Sequence, residues 1–295
     1  MIQTLSNYLQ TQGEFIEKRL EHLIPLKKGD HQQIFQAARH AILGGGKRLR
    51  PILTLATTEM FGVDSSLALD PACAIEMIHT YSMIHDDLPS MDNDDYRRGR
   101  LTVHRQFNEG LAVLAGDYLL TYAFEVLANI PRLDPEKKIK LISTLSYRSG
   151  SEGMIGGQVM DLHFEGKKMT PDALRSLHFN KTASLLIAAI EFGGIIGNAN
   201  EPELDCLRAF GANLGLAFQI IDDIIDVTAS QSKHGREISS DILNDKSTYV
   251  TLLGIEQAYE YAQKCHEEAI YSLKLLPYDT SLIVHLTDFV LNRKQ

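Results

Sequence analysis

Residues 70–88 read DPACAIEMIHTYSMIHDDL, and this stretch decides the fold. Its apolar residues recur at Ile75, Ile78, Met83 and Ile84, the spacing of a helix face rather than the strict alternation of a strand. Pro71 suits the first turn of a helix, where its missing N–H costs nothing. Related patterns fill residues 31–43, 111–129, 136–150, 172–191, 203–227 and 247–276. Proline is scarce, 9 residues in 295, and Pro51, Pro89, Pro131, Pro171 and Pro202 stand at apparent element ends, where long helices between them can stop. No run combines period-two alternation with an Asn-Gly or Asp-Gly turn, so no hairpin is expected. The chain is expected to be all-α, with roughly ten or more helices. No Pro/Gly/Ser-rich linker divides it, and one domain over residues 1–295 is expected.

Composition narrows the function. With 29 Lys+Arg against 38 Asp+Glu the formal net charge is −9, which argues against a general nucleic-acid or anionic-membrane binder. A hydrophobic content of 44% is ample for a large core and excludes disorder for most of the chain. Cys73, Cys206 and Cys265 lie far apart and form no CxxC pair, so a disulfide framework or zinc ribbon is not expected and a reducing compartment fits. The first residues, MIQTLSNYLQTQGEFIEKRL, lack the basic start and apolar run of a signal peptide. The longest apolar stretch, residues 183–197, is broken by Glu191 and falls short of the ~20 residues of a spanning helix. A soluble cytoplasmic protein is expected, with no nucleic-acid partner and no stable membrane insertion.

The chemistry is concentrated in residues 85–100, HDDLPSMDNDDYRRGR, where Asp86, Asp87, Asp92, Asp94 and Asp95 are followed by Arg97, Arg98 and Arg100. So many carboxylates repel one another without a cation. A solvated acidic loop is one reading, weakened because the acids end an apolar helix and Pro89 turns the chain. An EF-hand starting at Asp92 fails, since its sixth position is Arg97 instead of Gly and its twelfth Val103 instead of Glu. Hard carboxylate oxygens suit Mg²⁺, which takes few protein ligands and completes its shell with water and substrate phosphate. A second acidic group is FQIIDDIID at 218–226. On a helix Asp222 and Asp226 share a face, with Asp223 about 100° round. The surrounding isoleucines make ionised carboxylates costly there unless paired or coordinated, although helix-borne Asp pairs also occur as salt-bridged surface features.

Cationic groups complement these acids. GGGKRLRP at 44–51 offers three glycines, then Lys47, Arg48 and Arg50, either a flexible solvated turn or a backbone that a ligand approaches closely. It lacks P-loop spacing. Lys181-Thr182 and Lys246-Ser247-Thr248 follow later. Acids and cations together point to an anion held partly through metal and partly through arginine and lysine, and a diphosphate fits that balance.

From about residue 44 to residue 249 the chain resembles the short-chain trans-polyprenyl diphosphate synthases of the isoprenoid synthase family, most closely the bacterial members that form farnesyl diphosphate. The resemblance rests on DDxxxxD at Asp86, Asp87 and Asp92 and DDxxD at Asp222, Asp223 and Asp226. It implies a helical bundle around a central active-site cavity, a homodimer, and Mg²⁺, about three ions per site, held by those six aspartates. Gly46, Lys47, Arg50, His79 and Arg98 would bind isopentenyl diphosphate. Arg97, Lys181, Thr182, Gln219, Arg236 and Lys246 would bind the allylic diphosphate. Asp86, Asp87, Asp92, Arg97, Lys181, Asp222 and Lys246 form the implied catalytic set. The departure is at residues 235–241, GREISSD, where Arg236 replaces the lysine of the family's GKxxGxD and is not its geometric equivalent.

The implied reaction condenses isopentenyl diphosphate with dimethylallyl and geranyl diphosphate through an ionised allylic intermediate, giving farnesyl diphosphate and diphosphate. His79 lies seven residues before Asp86, about 10 Å along the same helix face. Tyr81 is five residues before Asp86, a rise of ~7.5 Å, and with Ser82 occupies the family's chain-length position. A core-packing tyrosine is the bland reading. A geranylgeranyl diphosphate synthase differs mainly at Tyr81. A terpene cyclase would carry an Asn/Ser/Glu second metal site and no counterpart of GGGKRLRP, and a non-catalytic prenyltransferase subunit would be expected to lose aspartates. Arg293 and Lys294 at the C-terminus are candidates to close over a bound diphosphate.

Overall fold

The stretch that opened the sequence reading is a buried helix. In a computed structural model, which describes residues 2–232 and 247–292, the elements in chain order are α1 (Ile2–Leu23), α2 (Gln32–Ile42), α3 (Leu49–Met60), a 3₁₀ turn at Ser65–Ala68, α4 (Leu69–Asp86), β1 (Tyr96–Arg97), β2 (Arg100–Leu101), α5 (Val103–Gln106), α6 (Glu109–Ala128) and α7 (Pro135–Ser149). They continue with α8 (Met154–Phe164), α9 (Pro171–His178), a π-helical turn at Phe179–Ala183, α10 (Ser184–Ile196), α11 (Glu201–Ser232), α12 (Tyr249–Leu253), α13 (Ile255–Lys274) and α14 (Ser281–Leu291). The expectation of an all-α chain holds. By their internal packing the residues form two compact units, one running to Ser143 and including Ile195–Gly197, the other holding Thr144–Gly194 and continuing from Asn198.

In the first unit α4 is apolar nearly all round. Ile75, Met77 and Ile78 are fully buried, each such side chain contributing about 1.5–3 kcal/mol, and the helix packs against α1, α2, α3 and α6. Its one buried acid, Glu76, accepts from Arg48 Nη1 at 2.7 Å. Arg48 also donates to the carbonyl of Ile42 at 2.6 Å and adopts left-handed backbone, φ 50°, at a cost of roughly 1–2 kcal/mol. One cation of GGGKRLRP is thus spent on joining the start of α3 to α4.

The expectation of no hairpin does not hold. Tyr96–Arg97 and Arg100–Leu101 pair antiparallel, and the two-residue turn has φ 53° at Arg98 and 75° at Gly99. Both values suit a type I′ turn. The usual Asn signal is missing because an arginine takes the first left-handed position.

The second unit is built on α11, which packs along α13 with Leu216, Ala217, Ile220, Ile221, Ala258 and Ala262 in its core. Two of its helices are capped by a threonine side chain. Thr170 accepts from Ala173 N at 3.3 Å ahead of Pro171, and Thr248 forms a capping box with Thr251, each filling an otherwise unmet helix donor. The pattern read over 247–276 is two helices, interrupted at Gly254, φ 81°.

The expected absence of any span-length apolar helix is also corrected. By length and composition Glu109–Ala128, Pro171–Ile196 and Glu201–Thr228 are each long and apolar enough to cross a membrane, with 39%, 78% and 56% of their windows buried inside the protein. The sequence count had stopped at Glu191. That carboxylate is neutralised internally, by Arg148 at 2.9 Å and Arg208 at 2.6 Å.

Candidate active site

In the first unit the acidic segment begins where α4 ends. Asp87 caps the helix with its N–H on the Met83 carbonyl, Pro89 prevents continuation, and the loop closes as Asp92 N donates to Asp86 O at 2.9 Å. The hairpin then returns its arginines to the acids. Arg97 reaches Asp87 through Nε at 2.7 Å and Nη2 at 2.6 Å, and Asp94 at 3.3 Å. Arg105 pairs with Asp95 at 2.5 Å. Asp87, Asp94 and Asp95 are thus matched by guanidinium groups. Burial pushes the Asp87 carboxyl above its ordinary value, opposed by Arg97.

Arg98 lies across the glycine run and donates to the carbonyl of Gly45. A Cβ on Gly46 would stand 2.4 Å from its Nη1, so the close approach that glycine permits here is to Arg98 itself. His79 sits above this cationic group. Burial, then the charges of Arg50, Arg98, Arg97 and Arg48, hold its pKa well below 6.5, which makes it a neutral hydrogen-bonding group at neutral pH. A pocket in this unit is lined by His40, His79, Asp87, Arg97, Arg98 and Arg100.

His40 escaped the sequence reading, and Arg100, counted there among the three arginines that follow the acids, was given no partner. His40 Nε2 lies 2.7 Å from the Leu101 carbonyl, and its Nδ1 lies 3.1 Å from Arg100 Nη2. One tautomer satisfies both, with the proton on Nε2 and Nδ1 accepting. The pair ties the hairpin to α2. Only their separation of 60 residues hid it.

Tyr81 is buried on α4, with its hydroxyl unpartnered and its ring edge-on to His85 at 5.8 Å. Burial, helped by the charge of Asp86, raises its pKa to about 12. Ser82 donates instead to the His79 carbonyl at 2.9 Å.

In the second unit a hydrogen-bonded chain runs through the predicted residues. Thr182 Oγ1 donates to Gln219 Oε1 at 2.8 Å, Gln219 Nε2 donates to Asp223 Oδ1 at 3.1 Å, and Tyr249 N donates to Asp223 Oδ2 at 3.0 Å. Burial raises the Asp223 pKa to about 7. The two hydrogen bonds oppose that rise, and the charges of Asp222 and Asp226 add to it. Lys181, in the π turn, pairs with Asp161 at 2.6 Å. Ser247 is held near the α8–α9 connection, accepting from Met169 N at 3.3 Å. Arg236, Lys246, Arg293 and Lys294 lie outside the described residues.

The donor set is one of hard oxygens, to which Mg²⁺ is suited. Among the described residues no three His, Cys, Asp or Glu side chains stand close enough to hold a metal by themselves. Mg²⁺ makes no such demand, since one or two carboxylates and substrate phosphate suffice.

The profile of a family described as polyprenyl synthetase matches residues 31–274. A farnesyl diphosphate synthase of Micrococcus luteus is 42% identical over 291 residues, covering 99% of this chain and 100% of that protein. A geranylgeranyl diphosphate synthase of Cyanophora paradoxa is 41% identical over 293 residues, covering 98% and 96%. The solved structure of an FPP/GFPP synthase from Zymomonas mobilis superposes with TM-score 0.87 at 36% identity, covering 98% of each chain.

Proposed function

The chain belongs to the polyprenyl synthetase family and is a prenyltransferase of the all-α isoprenoid synthase fold, and from that premise we propose that it forms farnesyl diphosphate. In this reading both units serve one synthase domain, as the family profile spanning both supports. The substrates are isopentenyl diphosphate and the allylic dimethylallyl and geranyl diphosphates. The observation that carries the C15 product is Tyr81, buried one and a half turns before Asp86, where its ring would stop a growing tail ~7.5 Å below the acids.

The residues divide the work. Lys47, Arg50 and Arg98 hold the diphosphate of the homoallylic substrate, and neutral His79 contributes a hydrogen bond rather than charge. Arg97 and Lys181, with Lys246, neutralise the allylic diphosphate as it leaves, while the Thr182–Gln219–Asp223 chain fixes the neutral polar side of that site. Mg²⁺, held by Asp86, Asp87, Asp92, Asp222, Asp223 and Asp226, would supply further charge neutralisation of the leaving diphosphate. Of these, Asp87 is also engaged by Arg97, and Asp223 by Gln219 and the Tyr249 backbone N–H. An apolar, closed pocket would be needed to keep water from the allylic cation. His178, its pKa lowered to about 4 by burial, is too weak a base to take the final proton, which leaves with the released diphosphate.

The same reading takes the protein as a cytoplasmic homodimer. The three free thiols suit a reducing compartment, and exposed Val113 and Leu114 on α6 suit burial by a second copy. A geranylgeranyl product is the competing reading, favoured by relatives that carry that name at similar identity. Incubation of purified protein with Mg²⁺, dimethylallyl and isopentenyl diphosphates should give C15 as the longest major product, and Tyr81→Ala should lengthen it. A C20 product from the wild type, or unchanged C15 from Tyr81→Ala, would overturn the chain-length assignment. Absence of any condensation product would overturn the activity.

A further inference from the structure

Helix α8 buries Met154 and packs Met160 and Phe164 against the core, while Ile155, Val159 and Leu162 face solvent at 45%, 60% and 43% exposure. Gly157 and Asp161, four residues apart on one face, turn toward the π-helical turn, and both meet Lys181 there. A Cβ on Gly157 would stand 2.2 Å from the Lys181 backbone nitrogen and 2.6 Å from its Cα, so only glycine lets the helices approach this closely. The Asp161 carboxylate lies 2.6 Å from the Lys181 ammonium, with the two side chains 15% and 26% exposed.

The turn that carries Lys181 is itself unusual. Phe179–Ala183 is π-helical, a locally less favourable winding that is found mostly at functional sites. His178, just before it, is held neutral by burial and brings no positive charge to Asp161. Lys181 does. We propose that Asp161 is a positioning residue for Lys181, with Gly157 admitting the lysine backbone and Asp161 holding its ammonium aimed for the allylic diphosphate. An ammonium has three donors, so Lys181 can keep Asp161 on one while presenting the others to phosphate oxygens. The inference rests on the reading of Lys181 as an allylic-site residue.

A double-mutant cycle tests it, with dimethylallyl and isopentenyl diphosphates and Mg²⁺. Asp161→Asn keeps the shape and removes the charge. It should lower kcat about 10- to 100-fold, the usual loss when the partner that orients a functional group is removed, while the allylic KM stays within about threefold. In a Lys181→Ala background the same change should add almost nothing. Should Asp161→Asn fail to fold, Asp161→Glu, which keeps the charge but displaces the ammonium, enters the same cycle and should likewise lose kcat only when Lys181 is present. Multiplicative losses in the double variant would overturn the inference by giving Asp161 a role independent of Lys181. A normal kcat in Asp161→Asn would overturn it too. Wild-type turnover in Lys181→Ala alone would instead overturn the allylic reading beneath it.

Discussion

The two aspartate motifs are written in the same residues but neutralised in different ways. In the 86–95 segment the acids are met by charge, with Arg97 on Asp87 and Asp94 and Arg105 on Asp95. On α11 Asp223 is met by neutral donors, the Gln219 amide and the Tyr249 backbone N–H. The difference follows from the supporting structure. A loop and hairpin can fold their own arginines back within a few residues, while a helix packed in an apolar core offers amide groups and backbone. It teaches that a motif's letters fix its charge and its surroundings fix how that charge is held. A guanidinium opposes the rise that burial imposes on the Asp87 carboxyl, whereas amide donors oppose a rise that still takes the Asp223 carboxyl to about 7.

The comparison can be broken at three levels. The largest effect belongs to the acids read as acting on substrate in both motifs. Asp86→Ala and Asp222→Ala should each lower turnover by at least about 10²-fold, measured as steady-state kcat on folded protein, and a near-normal rate in either would remove that motif from the chemistry. Next comes the cost of the neutralising partner. Arg97→Leu leaves Asp87 buried and unpaired and should destabilise the metal-free protein by about 2–3 kcal/mol, below the full buried-pair cost because Arg97 is partly solvated. Gln219→Leu should cost about 1–2 kcal/mol, since Tyr249 N still serves Asp223. Urea unfolding would measure both, and equal losses would erase the distinction between charged and neutral matching.

A further effect is in pH dependence. The folded pKa of Asp223, about 7, lies above its ordinary 3.8, so the folded state binds the proton more tightly than the unfolded state. Stability from this group therefore falls as pH rises from about 4 to about 7 and levels off above that. Thermal melts of metal-free wild type and Asp223→Asn across that window should diverge, the wild type losing ground as pH rises. Parallel curves would mean that Asp223 is ionised throughout.

Much of this was legible in the chain. Periodicity located α4 and α11 because their apolar positions repeat within single helices, and proline marked where helices stop. The aspartates stood out because five acids in ten positions have no ordinary packing role. Other features left no local trace. Arg98-Gly99 makes a hairpin turn without the Asn that usually announces one. Arg48 looked equivalent to Lys47 and Arg50, yet it is buried on Glu76. Gly157 and Asp161 drew no attention, because the residue they meet, Lys181, lies 20 or more residues further along the chain.

By itself the sequence determined the helical class, the two acidic motifs, the cationic groups near them and the family to which they point. These are properties of composition and short-range spacing, carried by residues within a turn or two of one another. Tertiary structure alone decided which cation or amide faces each carboxylate. Arg48 meets Glu76 across 28 residues, Lys181 meets Asp161 across 20, and Tyr249 N meets Asp223 across 26. Charge is written in each residue, but the energy of a charge depends on its desolvation and its nearest partner, and both are settled only when distant helices pack.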